Sequence, residues 1–105
     1  MDPYIVVEYE NKEWQTPIVQ DGGTNPVWNH EFTIEVLSLN ERLKVSCYDE
    51  DFFVHDFLGH AIIDLKELLK NKGEAPVWIP LKSKAGEMTA EVKLRGIFVK
   101  KDMNQ

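Results

Sequence analysis

Strict alternation of apolar and polar side chains is the feature that most constrains how this chain can fold. Residues 28–36 place their aromatic and β-branched side chains, with His30, on one face and mainly Asn, Glu and Thr on the other. Successive side chains of a β-strand point to opposite faces, so this run predicts a strand with one buried face. Residues 43–47 and 88–94 repeat the pattern. The alternation therefore indicates an all-β fold.

Further short apolar runs, separated by turn residues, add to this reading. They cover residues 4–9, 14–19, 61–65 and 77–81. Pro17 lies inside the second of these runs, and because proline cannot donate a ladder hydrogen bond, we expect that run at a sheet edge or a bulge. Residues 65–70 predict one short helix. About seven strands with a single short helix pack most naturally as an antiparallel β-sandwich.

Length and charge limit the class of protein. The chain has 105 residues, 43% of them apolar, which suits one domain with one core. Eighteen acidic residues against twelve basic ones give a net charge of −6. A negative chain lacks the electrostatic attraction that dominates nucleic-acid binding, so we expect no nucleic-acid partner.

Cys47 is the one cysteine of the chain. It cannot form an internal disulfide, which favours a reducing compartment, and we expect a cytoplasmic protein. Because Cys47 alternates in phase with Leu43 and Val45, it should be buried. The chain has neither a nucleophile elbow nor a phosphate-binding glycine loop, so we expect no enzymatic activity.

The segment 49–56 departs from ordinary strand chemistry. It carries Asp49, Glu50, Asp51 and Asp56 within eight positions. Like charges this close repel one another, so the arrangement costs stability unless a cation is bound. Oxygen ligands on a loop suit Ca²⁺, although the spacing is not that of an EF-hand. A solvated acidic turn without metal is the alternative that these residues leave open.

Several segments resemble the C2 domain, a family of calcium-dependent phospholipid-binding β-sandwiches. The matching segments are residues 2–7 (DPYIVV), 24–32 (TNPVWNHEF), 48–51 (YDED), 56–59 (DFLG) and 78–81 (WIPL). The resemblance implies an eight-stranded C2 sandwich over residues 1–99, with about seven of its strands present, and a loose polar tail at 100–105. The chain is similar to short single-C2 proteins of plants and protists.

By position, the resemblance implies a set of calcium ligands. They are the side chains of Asp2, Asp49, Asp51 and Asp56 and the backbone carbonyl of Glu50. Loops at one end of a sandwich lie together, so Asp2 can face the acidic segment. The family pattern has a further strand and usually an earlier aspartate ahead of Asp2, and one residue more between Asp51 and Asp56. The first departure predicts a weaker site, and the second makes Asp56 a less secure ligand than Asp49 or Asp51.

The acidic segment also carries an apolar tip, formed by Phe52, Phe53 and Val54. Three adjacent residues cannot all face inward from a loop, so we expect an exposed tip that enters a membrane. The chain should then be a calcium-dependent membrane-targeting module, monomeric and reversibly peripheral.

Lipid preference and the alternative function follow from two further features. Lys12 is the one basic residue near 14–19, where many C2 domains carry a lysine-rich patch. We therefore expect binding to neutral phosphatidylcholine without a strict need for anionic lipid. The alternative is a calcium-independent protein–protein interaction domain that uses a sandwich face or an open edge strand.

Overall fold

The structure is a computed structural model that describes residues 2–19, 28, 30–51, 53–69 and 77–95. Its elements, in chain order, are β1 (Pro3–Tyr9), β2 (Lys12–Gln15), β3 (Arg42–Glu50), β4 (His55–Asp64), α1 (Leu65–Leu68), β5 (Val77–Lys82) and β6 (Met88–Leu94). Every described strand pair is antiparallel. The prediction of an antiparallel all-β fold is thus confirmed, while the tail predicted at 100–105 lies outside the described residues.

The six described strands form one hydrogen-bonded sheet in the order β2-β1-β3-β4-β5-β6. Strand β5 joins β4 through a single residue pair, His60 opposite Lys82. Beyond that pair the β5–β6 hairpin closes over the rest of the sheet. Leu81 of β5 and Val92 of β6 accordingly lie in the same buried cluster as Val45 of β3. The sheet therefore curls around one core.

The core is built from the inward faces of five strands and from α1. Its buried members are Ile5, Val7, Tyr9, Leu43, Val45, Cys47, Ile63, Leu65, Leu68, Leu81 and Val92. The alternation at 43–47 correctly predicted which side chains of β3 face inward. Cys47 is buried as expected, and this burial, followed by the nearby charge of Asp49, raises the pKa of its thiol to about 11.

The strand predicted at residues 28–36 is not formed in the described part of that segment. Phe32, Ile34 and Val36 nevertheless pack half-buried against the core, while the residues between them are exposed. His30 is also exposed, with its ring edge-on to Phe32 at 4.9 Å between centroids. Alternation of apolar and polar residues indicates that one face of a segment is buried. Hydrogen bonding as a β-strand also requires a neighbouring strand whose backbone N–H and C=O groups are available. The pattern predicted the burial of Phe32, Ile34 and Val36 correctly, whereas the buried position of His30 and the strand hydrogen bonding were predicted wrongly.

Among the six described strands, β2 is outermost on one side of the sheet, as expected from Pro17. It is shorter than expected and ends at Gln15. Beyond it, the Thr16 N–H donates to the Ile5 carbonyl at 2.9 Å, and the Thr16 hydroxyl accepts from the Ile5 N–H at 2.9 Å. The hydroxyl thus continues the pairing next to a residue that has no N–H to offer.

The order and direction of the strands create two distinct ends. Strand β1 begins, β3 ends and β4 begins at one end, which we call the acidic end. The β1–β2 turn and α1 lie at the opposite end. Helix α1 is four residues long, and no helix within the described ranges is long and apolar enough to cross a membrane.

Candidate functional site

The β3–β4 hairpin sets acidic residues against one another at the acidic end. Asp49 is directly opposite Asp56, and Glu50 is directly opposite His55. Directly opposite residues of antiparallel strands have Cβ atoms roughly 4.5–5.5 Å apart, and like charges in such a pair are destabilising. The hairpin therefore concentrates negative charge on the face that carries Asp49 and Asp56.

The acidic segment is less of a loop than the sequence suggested. We expected the segment 49–56 to be a loop, but β3 continues to Glu50 and β4 begins at His55. The connection between the two strands is closed by the Asp51 N–H donating to the Val54 carbonyl at 2.8 Å. A register shift after Cys47 brings Asp56 into line with Asp49. Register of this kind depends on non-local pairing and cannot be seen in the spacing of the aspartates.

Asp2 joins the hairpin from a distant part of the chain. Its backbone N–H donates to Asp49 Oδ1 at 2.8 Å, and its carbonyl accepts from the Glu50 N–H at 3.0 Å. The next residue, Pro3, has its carbonyl held by the indole N–H of Trp28 at 3.2 Å. These contacts place Asp2 beside the acidic segment, as we expected from a sandwich whose loops meet at one end.

The expected ligands are all oxygen atoms, which are the ligands that a hard cation prefers. Asp2, Asp49 and Glu50 are half-buried and Asp51 and Asp56 are exposed, and all five offer oxygen atoms. Oxygen ligands with irregular geometry are what Ca²⁺ accepts. Over the ranges that the structure describes, no three His, Cys, Asp or Glu side chains converge closely enough to hold a metal ion. The expected ligands are therefore gathered at one end without being closed into a cage.

The apolar tip lies at the turn of the same hairpin. Phe53 is 91% exposed and Val54 is 57% exposed. Phe52, the third residue that we assigned to the tip, lies outside the described residues. Neither described tip residue caps the core. Large apolar side chains thus stand in water within a few residues of the carboxylates.

An aromatic group that sequence reasoning missed supports the other face of the hairpin. The Tyr4 ring stacks on Tyr48 with centroids 5.5 Å apart, and Tyr48 meets Phe57 at 5.7 Å. The Tyr4 hydroxyl is hydrogen-bonded to Nδ1 of His55. Burial, followed by the neighbouring Tyr48 and Glu50, raises the pKa of Tyr4. Alternation along β1 hinted at the position of Tyr4, but its partners follow from the register between strands.

Comparison with protein families identifies the family to which this chain belongs. Residues 1–81 match the family model described as the C2 domain. The chain belongs to the C2 domain family. This C2 chain is also 32% identical, over 101 residues, to "Elicitor-responsive protein 1" of Oryza sativa subsp. japonica. That match covers 91% of the C2 chain and 64% of the Oryza protein, so the chain spans less than two thirds of its relative.

Solved structures agree with the family assignment. A C2 domain of a plant Extended Synaptotagmin 1 superimposes with a TM-score of 0.74 at 20% identity, covering 94% of this C2 domain and 80% of that chain. The calcium-bound pair of C2 domains of Extended Synaptotagmin 2 gives a TM-score of 0.66 at 26% identity, covering 90% of this chain and 33% of that one. The resemblance and the C2 β-sandwich predicted from the sequence are therefore confirmed.

Proposed function

We propose that this C2 domain is a calcium-dependent phospholipid-binding module that docks reversibly on a membrane surface. One observation carries the proposal: the opposed pair Asp49 and Asp56 and the exposed Phe53 lie on the same hairpin. A calcium-bound C2 structure among the solved relatives supports it. In this proposal the protein is cytoplasmic, peripheral to the membrane, monomeric and not an enzyme.

The first step concerns charge. The side chains of Asp2, Asp49, Asp51 and Asp56, with the carbonyl of Glu50, would hold the ion. Without it, these carboxylates repel one another and also repel the phosphates of a lipid surface. Bound Ca²⁺ would supply positive charge that offsets the carboxylates and reaches lipid phosphate. The hairpin then loses the repulsion that keeps its turn away from the membrane.

The second step concerns the apolar tip. Transfer of the Phe53 side chain from water into the interface contributes about 1.5–3 kcal/mol, which is roughly a 10- to 100-fold gain in affinity. Phe52 adds a second side chain of the same kind next to it in sequence. Gains of this size suit reversible docking, because they are far smaller than the free energy that inserts a membrane-spanning helix. They apply equally to membranes of neutral phosphatidylcholine, since insertion of an apolar side chain requires no anionic lipid.

The test is isothermal titration of Ca²⁺ into the protein, with and without phosphatidylcholine vesicles. Ion and vesicle should strengthen each other's binding, because linkage between two ligands is reciprocal. Replacing Asp49→Asn together with Asp51→Asn should abolish both effects. Asp64→Asn is the matched control, because Asp64 is exposed at the opposite end in a surface ion pair with Arg42 at 2.9 Å. Absence of Ca²⁺ binding up to millimolar concentration would refute the proposal.

A calcium-independent protein-interaction domain is the second candidate. It is favoured by the lack of a converged three-ligand group within the described ranges. The edge of β2, which is the outermost strand within the described residues, would then pair with a strand of a partner chain. This candidate predicts that Asp49→Asn with Asp51→Asn leaves partner binding unchanged, and that chelation of Ca²⁺ has no effect on it.

A further inference from the structure

The β5–β6 hairpin carries a tight turn with exposed lysines. The turn, residues 83–87, is closed by the Ser83 N–H donating to the Glu87 carbonyl at 2.8 Å and by the Gly86 N–H donating to the Ser83 carbonyl at 2.9 Å. Gly86 has a φ of 85°, which a glycine adopts without strain. Lys82 and Lys84 are exposed at this turn. We call residues 82–87 the lysine turn.

The direction of β5 brings the lysine turn to the acidic end. Lys82, the last residue of β5, is opposite His60 of β4, and the two strands are antiparallel. Strand β4 starts at His55 in the acidic end. A chain that continues beyond Lys82 therefore moves toward His55 and not toward α1. The lysine turn and the Phe53 tip project from the same end of the domain.

A close contact holds this hairpin in place against β4. The register between β5 and β6 shifts after Leu81, so that Thr89 bulges toward β4. The Thr89 hydroxyl donates to the Leu58 carbonyl at 2.6 Å. A Cβ on Gly59 would lie 2.5 Å from Thr89 Oγ1, so the approach requires glycine. The lysine turn therefore has a defined position relative to the hairpin that carries the tip.

The spacing places the lysines within reach of a membrane on which the tip has docked. Phe53 lies seven positions from His60, which is at most roughly 23 Å at the rise of a strand, and the turn advances roughly 7 Å beyond Lys82. The tip thus leads the turn by at most roughly 16 Å. Docked apolar segments enter the interface by about 5–10 Å, and charges act over about 8–10 Å at physiological salt.

The charge of the lysine turn is opposite to that of the chain. The chain carries −6, whereas Lys82 and Lys84 outnumber the one acidic residue of the turn, Glu87. Within the described ranges neither lysine has a carboxylate within ion-pairing distance. Positive charge at this end complements anionic headgroups and is separate from the carboxylates of the β3–β4 hairpin.

We propose that the lysine turn is a second membrane contact, which binds the anionic headgroups of phospholipids when the tip docks. This inference rests on the proposed function and extends it to lipid preference. Neutral phosphatidylcholine suffices for docking through the tip, and anionic lipid adds affinity through Lys82 and Lys84. Each lysine near an anionic surface contributes about a five-fold gain.

The test compares vesicles of phosphatidylcholine alone with vesicles containing about one third phosphatidylserine, both at saturating Ca²⁺. The test variant is Lys82→Gln with Lys84→Gln. The matched control is Lys12→Gln with Lys66→Gln, because both of these lysines are exposed at the opposite end. The wild type should bind the anionic vesicles more tightly than the neutral ones. The test variant should lose between about five-fold and 25-fold on anionic vesicles and nothing on neutral ones.

Four results would overturn the inference. If the control loses as much as the test variant, net charge alone explains the effect. If the wild type gains nothing from phosphatidylserine, or if the test variant keeps the gain, the lysine turn does not contact lipid, and the proposed function stands. If the wild type binds neither kind of vesicle, the proposed function fails and this inference fails with it.

Discussion

Asp49 and Asp56 stand directly opposite each other on β3 and β4, two positions from the turn that carries the exposed Phe53. The Asp2 N–H donates to one oxygen of Asp49 at 2.8 Å. This hydrogen bond stabilises the Asp49 carboxylate, but it does not cancel the repulsion between Asp49 and Asp56. An opposed pair of carboxylates lowers stability in the absence of a cation and supplies two ligands in its presence. The pair can therefore be tested both through the stability of the domain without Ca²⁺ and through its affinity for Ca²⁺.

Asp56→Asn should have opposite effects on stability and on calcium binding. Without Ca²⁺, removing one charge of the pair should raise the free energy of unfolding by about 0.2–1 kcal/mol. Calcium affinity should fall by at least roughly ten-fold, because even partners of metal ligands have effects of that size. Chemical denaturation in a chelator measures the first effect, and calorimetric titration measures the second.

Asp64→Asn provides the control for this experiment. It makes the same chemical change in the same strand, at the opposite end, and removes a surface ion pair of small energetic value. It should leave calcium affinity unchanged. A loss of stability in Asp56→Asn without Ca²⁺, or an unaltered calcium affinity, would contradict the assignment of Asp56 as a ligand.

Phe53→Ala should weaken vesicle binding by roughly 10- to 100-fold at saturating Ca²⁺, through loss of apolar transfer into the interface. The unfolding transition should not change, because the side chain is 91% exposed. Vesicle co-sedimentation measures the binding. Trp78→Ala is a suitable control, since Trp78 is 60% exposed near the far end of β5, where it contacts Lys93. Equal losses in the two variants would exclude a specific tip.

Sequence patterns predicted the strands that have one buried face and were less informative about pairing. Residues 43–47 gave a strand and its inward side chains, because one-sided burial leaves a period of two in the sequence. Residues 88–94 also gave a strand, with Val92 buried as expected, but Met88 was expected on the same face and is 61% exposed. Residues 32–36 have the same period and the expected burial, yet residues 30–36 form no strand in the structure. Burial is encoded by the segment itself, whereas a ladder depends on what lies beside it.

The candidate site was predictable in its residues and not in its arrangement. The acidic positions stand out in the sequence, but the pairing of Asp49 with Asp56 depends on a register shift after Cys47. The direction of the lysine turn similarly depends on the single pair His60 and Lys82. Both are relations between strands, and no local spacing records them.

Gly59→Ala should destabilise the domain by about 1–3 kcal/mol, because the added Cβ would lie 2.5 Å from Thr89 Oγ1 and 3.3 Å from the Leu81 backbone. Thr89→Ala should cost about 0.5–1.5 kcal/mol through loss of its hydrogen bond to Leu58. The double variant should be more stable than the sum of these losses predicts, since removal of the hydroxyl makes room for the Cβ. Denaturant unfolding of all four proteins measures the coupling. Strictly additive losses would show that the contact between Gly59 and Thr89 does not position the hairpin.

Tyr9→Phe tests the polar contact that closes the opposite end of the domain. The Tyr9 hydroxyl donates to Glu41 Oε1 at 2.6 Å and accepts from the Leu37 N–H at 3.0 Å, in a residue only 4% exposed. Its loss should cost about 0.5–1.5 kcal/mol, the net contribution of a typical hydrogen bond, because Leu37 is 77% exposed and Glu41 is half-buried, so water can reach both partners. Tyr48→Phe, which keeps the ring stacked on Tyr4, should cost much less.

The same variant has a pH signature whose sign follows from the pKa of Tyr9. Burial, followed by the hydrogen bond to Glu41, raises this pKa above its usual 10.0. Above pH 10 the unfolded chain loses the Tyr9 proton before the folded one does, so the stabilisation by Tyr9 is complete below pH 10 and declines as the pH rises toward the folded-state pKa. The difference in unfolding free energy between the wild type and Tyr9→Phe should therefore shrink above pH 10, as measured by urea denaturation across that range. A difference that stays constant or grows would mean that the hydroxyl is not held as a neutral donor to Glu41.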